Sequence, residues 1–211
     1  MVSWFYNARN MKSNMRNFTN LKMNNVTNMS YAYYNCYNLT GSPVCGNNVT
    51  NMDHTYDTCR NLTGSPACGN NVTNMHRAYI SCNKLTGSPV CGPNVTDMSL
   101  AYHACTKLTG SPVCGPNVTN MYCTYYLCEN LSAGTFYFKS KNISNIRSCF
   151  MGKNNSRRYN IHVPNNSTTL NTIYQATGTN SIVGNTITWT NSGRNFYNKA
   201  YNIYIYANTS I

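Results

Sequence analysis

The apolar positions of the chain recur every 23 residues, and polar residues fill most of the positions between them. The columns are Val26, Val49, Val72, Val95 and Val118; Met29, Met52, Met75, Met98 and Met121; Tyr33, Tyr56, Tyr79, Tyr102 and Tyr125; Cys36, Cys59, Cys82, Cys105 and Cys128; and Leu39, Leu62, Leu85, Leu108 and Leu131. Periods of roughly 20–29 residues are typical of solenoids in which each coil buries its apolar residues against its neighbours. The pattern therefore predicts a β-rich solenoid with these columns as its core.

Four of the five units also carry the phrase Gly-Ser-Pro-Val-Cys-Gly or a close variant of it. We predict a short parallel strand over residues 42–45 and their copies, bracketed by Gly41 and Gly46 where the chain turns. Proline removes a ladder donor, so this strand should be short and irregular. Residues 52–59 are predicted to return the chain with one or two helical turns.

The ends of the chain depart from the regular repeat and divide it into four segments. Residues 1–25 are predicted to form a degenerate N-terminal cap repeat, 26–131 the regular repeats, 132–175 degenerate C-terminal repeats, and 176–211 a small C-terminal β segment. The segment from Phe5 to Met11 echoes that from Tyr33 to Leu39, and Phe150 falls in the tyrosine column after a two-residue insertion. We expect strands over residues 135–138 and 159–164, and a helical turn over 167–174.

The last segment alternates apolar and polar residues, which predicts a β-hairpin or two strands. Its final strand is aromatic and almost uncharged, and an unpaired strand of this kind is prone to associate with other chains. The segment is therefore either a cap or an assembly surface.

The run C-x-N/K-L-T, N-V-T-N-M, Y-x-x-C resembles the BspA-type leucine-rich repeats over residues 26–131. Such repeats occur in bacterial and protist surface proteins and in tail-fibre-like proteins of phages. The resemblance implies a right-handed leucine-rich-repeat-like coil with short parallel strands, and a role in protein binding and adhesion. The chain departs from the family pattern in its Gly-Ser-Pro-Val-Cys-Gly phrase and in having tyrosine where phenylalanine is common.

The charge of the chain restricts its partners. Sixteen Lys and Arg face only four carboxylates, giving a net charge of +12, yet the cations are scattered. No basic stripe with interleaved aromatics is present, so we expect no nucleic-acid partner; anionic surfaces such as bacterial envelopes fit better. No apolar run is long enough to span a membrane. The N-terminal stretch lacks a signal peptide, which indicates synthesis in the cytoplasm, or a processed piece.

The inventory of reactive side chains predicts a protein that is not an enzyme, with no catalytic residues and no cofactor. Catalytic motifs are absent, and few sites for paired acid–base chemistry remain. The carboxylates are Asp53, Asp57, Asp97 and Glu129. The histidines His54, His76, His103 and His162 do not share a column, and no CxxC-type cluster is present, so we expect no metal site.

The eleven cysteines fall mainly in two columns. Stacked columns make disulfides sterically possible. An odd number of cysteines and the lack of a signal peptide favour reduced thiols packed in the core. The recurring Asn and Thr residues are expected to satisfy backbone groups once per unit.

The residues after the methionine and tyrosine columns vary from unit to unit, and a regular core should hold them as parallel rows on one side. Tyr, His, Asp and Arg in such rows suit recognition, although unconstrained drift of exposed residues is the alternative. The candidate recognition surface consists of Asp53, His54, His76, Arg77, Leu100, His103, Tyr122 and Tyr126.

These features predict a non-enzymatic structural and adhesion protein located in a virion or on an extracellular surface, most simply a phage tail-fibre-like protein. Its partners would be a cell-surface protein or glycan, other virion or envelope proteins, or further copies of the chain joined through coil ends or C-terminal strands. The alternatives are a self-assembling fibre subunit and a bacterial or protist surface adhesin.

Overall fold

The 23-residue units lie side by side and are joined through equivalent backbone positions. The computed structural model describes residues 2–10, 23–150, 159–164, 188–189, 195–198 and 203–208. Parallel β-bridges connect one position of each unit to the next, in the order Asn28, Asn51, Asn74, Asp97, Asn120 and Asn145. We infer that the units are successive coils of a solenoid.

The segment after each bridge is a ribbon of turns and not a helix, so the predicted helical return is wrong. The N–H groups of Tyr31 and Tyr33 donate to the carbonyls of Asp53 and Thr55 in the next unit, each at 2.9 Å. The intervening N–H of Ala32 donates back to Met29 at 3.0 Å. Equivalent bonds follow in the later units. This inter-unit ladder takes alternate N–H groups away from the i−4 carbonyls that a helix needs.

The turns place non-glycine residues in the left-handed region, with φ between 51° and 63°. These residues are Ser3, Asn7, Tyr31, Asn35, His54, Thr58, Arg77, Ser81, Leu100, Ala104, Cys123, Leu127 and Ser148. Tyr31 is the third residue of the turn from Met29 to Ala32, the position at which type II turns need positive φ. For residues other than glycine, the left-handed conformation costs about 1–2 kcal/mol per residue. The inter-unit bonds of the same residues hold them in this conformation.

The five predicted apolar columns form the core, and every member is at most 2% exposed. The tyrosine rings of successive units stack with centroids 5.0–5.8 Å apart and planes within 9° of parallel. Phe5 stacks on Tyr33 at 5.4 Å, and Phe150 stacks on Tyr125 at 5.6 Å. Both ends of the repeat therefore extend the column with phenylalanine, as the sequence predicts.

The strand predicted over residues 42–45 is absent, and a tyrosine hydroxyl takes over its hydrogen bonds. Tyr56 Oη accepts from the N–H of Val44 at 3.1 Å and donates to its carbonyl at 2.8 Å. The same tyrosine clamp joins Tyr79 to Ala67, Tyr102 to Val90 and Tyr125 to Val113. A phenylalanine could not satisfy this peptide, which explains the departure from the more common residue.

The cysteines of the buried column serve as hydrogen-bond donors. Cys59 Sγ donates to the carbonyl of Tyr33 and Cys82 Sγ to that of Tyr56, each at 3.0 Å. All eleven cysteines are free thiols in the structure. The Asn and Thr side chains also behave as predicted: Asn71 Nδ2 donates to the carbonyl of Asn47 at 2.9 Å, and Thr73 Oγ1 to that of Thr50 at 3.2 Å.

A mixed sheet follows the last unit, in the order β1-β2-β5-β4-β3. Its strands are β1 (Gly134–Tyr137), β2 (Tyr159–Pro164), β3 (Thr188–Trp189), β4 (Asn195–Asn198) and β5 (Ile203–Asn208). The pairs β1–β2 and β2–β5 are parallel, and the pairs β5–β4 and β4–β3 are antiparallel.

The sequence predicts β1, β2, β3 and β5 but misses β4. The final strand is paired on both sides, by β2 and β4, so it is not an unpaired edge. The helical turn expected over residues 167–174 lies outside the described residues.

The tyrosine clamp can be tested by removing one hydroxyl. Tyr102→Phe leaves the stacked ring in place but leaves the partly buried peptide of Val90 without its partner, so the free energy of unfolding should fall by about 1–3 kcal/mol. Tyr126→Phe, at a half-buried position outside the clamps, is the matched control and should change little. Denaturant unfolding followed by circular dichroism measures both; equal losses would contradict the clamp.

The left-handed positions can be tested with a pair of alanines in the same unit. Ala104 has φ of 59°, whereas Ala101 is fully buried and is not among the residues with positive φ. Ala104→Gly should raise the free energy of unfolding by up to about 1 kcal/mol, because glycine adopts positive φ without strain. Ala101→Gly should lower it by about 1 kcal/mol. Losses in both variants would contradict the assigned backbone conformation.

Candidate recognition surface

The turn ribbons carry all eight residues of the candidate recognition surface. Each ribbon starts with a side-chain hydrogen bond: Asn51 Oδ1 accepts from the N–H of Asp53 at 2.9 Å, and Asn74 Oδ1 accepts from that of His76 at 2.8 Å. Asn and Asp favour such local bonds to the backbone two residues on. The Asn before each methionine, or Asp97 in one unit, therefore fixes where the surface begins in its unit.

Three of the predicted residues converge at the junction of two units. Asp53 Oδ1 lies 2.8 Å from His54 Nδ1 and 2.8 Å from His76 Nδ1. One ligand atom from each residue lies within 4.8 Å of the others. Within the part of the chain that the structure describes, this is the one group of three potential metal ligands. His54 and His76 do not share a column of the repeat, yet both contact the same carboxylate.

Arg77 joins the group through Asp57, a residue that the predicted surface does not include. Asp57 is only 3% exposed. Its Oδ2 lies 3.4 Å from Arg77 Nε and 3.8 Å from His54 Nε2, and its Oδ1 accepts from Thr58 Oγ1 at 2.6 Å. The carboxylate thus lies beneath the surface and supports the histidine and the arginine from inside.

The two carboxylates of this cluster have opposite pKa shifts. Burial raises the pKa of Asp53, but hydrogen bonds from His54 and His76, together with their charge, outweigh burial and hold that pKa well below its usual range. Burial dominates at Asp57 and raises its pKa, against the Thr58 hydroxyl and the Arg77 charge. Asp53 is therefore the more firmly ionised of the two.

Aromatic rings continue the surface toward the first unit. Tyr31 stacks on His54, with centroids 4.4 Å apart and planes 12° from parallel, and Tyr6 stacks on Tyr34 at 4.9 Å. Tyr6 is 49% exposed. Sequence reasoning left these three tyrosines out of the surface, although Tyr31 and Tyr34 occupy the same varying columns as the residues that it selected.

The remaining predicted residues lie on later units. His103 stacks on Tyr126 at 4.8 Å, with planes 4° from parallel. Tyr122 is exposed, and Leu100 is half-buried. The backbone N–H of Leu100 donates to the carbonyl of Tyr122 at 2.8 Å. The surface thus contains an ionic cluster around Asp53 and, further along the stack, a more apolar group that includes the His103–Tyr126 pair.

Comparison of the chain with protein-family models, with curated proteins and with solved structures finds no match. Among the described residues, no helix has the length and apolar character needed to cross a bilayer. The function must therefore be argued from the geometry of the surface itself.

His103 gives the surface a measurable pH dependence. Burial, with a smaller contribution from the positive charge of Arg77, lowers the pKa of His103 below 6.5. The unfolded chain then takes up this proton more readily than the folded chain, so the contribution of His103 to stability falls as the pH drops through about 6.5. His103→Phe keeps a ring on Tyr126 and removes the titration.

The two proteins should be compared by denaturant unfolding at pH 7.5 and pH 5. The wild type should lose stability relative to His103→Phe as the pH falls. A constant difference between the two pH values would contradict the lowered pKa.

Proposed function

We propose that the chain is a non-enzymatic repeat protein that mediates surface recognition or adhesion. It would belong with the BspA-type leucine-rich repeats that its sequence resembles, as a virion-associated, phage tail-fibre-like protein. Its partner would be a cell-surface protein or glycan, and its location a virion or an extracellular surface.

One observation carries the proposal: the surface is a continuous row of aromatic and ionic side chains that is preorganised, because contacts within the chain fix their positions. Tyr6, Tyr34, Tyr31, His54 and His76 each lie in ring contact with the next or with a shared neighbour. Rings held by stacking lose little conformational freedom on binding. Tyr and His also combine apolar faces with hydrogen-bonding groups, which suits the mixed surfaces of proteins and glycans.

The backbone beneath the row also supports a role in recognition. The turn residues under these side chains are fixed by bonds to the neighbouring unit, and the core below is fully buried. Binding residues on a rigid support can differ from unit to unit without changing the support. A partner would therefore meet a surface whose chemistry changes along the stack while its geometry repeats.

A second candidate is a self-assembling structural subunit, and the terminal sheet favours it. In the described part of the sheet, β1 and β3 are the outermost strands. Outer strands offer backbone groups to another chain. Head-to-tail contacts that do not close would then produce a fibre.

Binding to intact bacterial cells tests the proposal. One variant replaces the ionic cluster (Asp53→Ser, His54→Ser, His76→Ser, Arg77→Ser), and a second replaces two tyrosine rings of the later units (Tyr122→Ser, Tyr126→Ser). Lys84→Ser with Lys107→Ser is the matched control, since both lysines are exposed and lie outside the surface. We expect at least one surface variant to lose about tenfold or more in affinity while the lysine control binds normally.

Circular dichroism and thermal unfolding establish that each variant is folded. Equal binding by folded surface variants and by the control would place the contact elsewhere and overturn the proposed surface. Light scattering against protein concentration separates the second candidate: particles that grow with concentration, without cell binding, would favour the fibre subunit.

A further inference from the structure

We propose that Asp53, His54 and His76 form a binding site for a divalent transition-metal ion of the zinc class. The proposal rests on the geometry at the junction of two units and is independent of the recognition function.

The donor atoms already converge on one point. Both imidazoles direct Nδ1 at the same oxygen, Asp53 Oδ1, over equal distances of 2.8 Å. A metal ion would replace the hydrogen bonds that now join these groups, with each Nδ1 and the carboxylate as ligands. The donor atoms all lie within 4.8 Å of one another, a spread that modest side-chain rotation can close onto one ion.

The chemistry of the donors selects the class of ion. Two imidazole nitrogens and one carboxylate suit Zn²⁺ and its first-row neighbours, with Zn–N near 2.0–2.1 Å. Ca²⁺ and Mg²⁺ prefer sites made of oxygen ligands, which this cluster does not offer. Three protein ligands leave at least one coordination position open.

A buried carboxylate behind the site provides the second, independent observation. Asp57, whose side chain is only 4% exposed, places Oδ2 3.8 Å from His54 Nε2, the nitrogen opposite the one that would bind the ion. No hydrogen bond to this oxygen is present in the described structure. Metal-bound histidines characteristically donate their other ring N–H to a carboxylate, which fixes the ring and strengthens its basicity.

The ring of His54 is also held from the side. Tyr31 stacks on it at 4.4 Å, and the backbone N–H of His54 donates to the carbonyl of His76 at 3.0 Å. Both histidines are thus fixed relative to each other by the inter-unit ladder. Their side chains remain partly accessible, at 12% and 34% exposed, so an ion can enter from solvent.

The core thiols are a poor alternative for the same ion. Burial raises the pKa of Cys36 to about 11 and that of Cys105 to about 12, so these sulfurs stay protonated at neutral pH. Their thiols also donate to backbone carbonyls of the neighbouring unit.

Isothermal titration of the metal-free full chain with ZnCl₂, in a non-chelating reductant, tests the site. We expect one Zn²⁺ per chain and a rise in the unfolding temperature on adding the ion. His76→Gln should weaken binding more than about 100-fold, the upper range for loss of an outer-shell partner. Asp57→Asn, which alters only the supporting carboxylate, should weaken it about 10–100-fold.

His103→Gln is the matched control, because it removes another half-buried histidine of the same surface; it should bind one Zn²⁺ as tightly as the wild type. Unfolding temperatures without metal show whether each variant is folded. The absorption spectrum of the Co²⁺ complex shows whether a thiolate binds the metal. We expect a spectrum without a sulfur-to-metal charge-transfer band, because the ligands are nitrogen and oxygen.

Three results would overturn the proposal. They are no binding of Zn²⁺ by the wild type at millimolar concentration, undiminished binding by a folded His54→Gln, His76→Gln double variant, and a thiolate charge-transfer band in the Co²⁺ complex. Loss of zinc binding with cell binding intact would separate this site from the proposed recognition function.

Discussion

The structure depends on one constraint: alternate backbone N–H groups of each unit must find their acceptors in the next unit. Tyr31, Tyr33 and Asn35 meet this constraint by donating across the junction, while the N–H groups between them close turns within the unit. Buried backbone donors are costly to leave unpaired, so the units cannot separate or slip without losing a whole row of bonds. The stacked rings, the thiol donors and the side-chain bonds of Asn and Thr all follow the register that this ladder sets.

The sequence predicts the stacking well and the local backbone poorly. Columns of identical residues can align only if equivalent positions meet, so the core follows from the period. The extension of the ring column by Phe5 and Phe150 follows from the likeness of their segments to the repeat, since neither residue keeps the 23-residue spacing. The strand over residues 42–45 does not form, because the hydroxyl of a tyrosine twelve residues later satisfies its peptide. No local signal marks the turn ribbon either, since Arg77 and Leu100 have no preference for positive φ.

The sequence predicts that the recognition residues lie in parallel rows. It does not predict the ionic cluster, because the columns align only residues that are 23 apart. His54 and His76 belong to different columns of the 23-residue repeat. The ladder, however, joins residue i to residue i+22, and these two histidines have that spacing; the N–H of His54 bonds to the carbonyl of His76. A search at this second spacing would have paired them. The burial of Asp57 could not be inferred in the same way, because its column holds Tyr34 and Tyr126, which are only half-buried.

The tyrosine clamps join residues 12 apart, less than one repeat length along the chain, whereas the ladder joins equivalent segments of neighbouring units. This division gives the molecule a direction in which it yields to force. A force that pulls on one end of the chain loads the bonds of the terminal unit first, and the clamp within the next unit does not share that load. Units should therefore detach one at a time, each releasing 23 residues, or roughly 80 Å of extended chain. A protein built in this way is expected to lengthen under tension in steps of one unit.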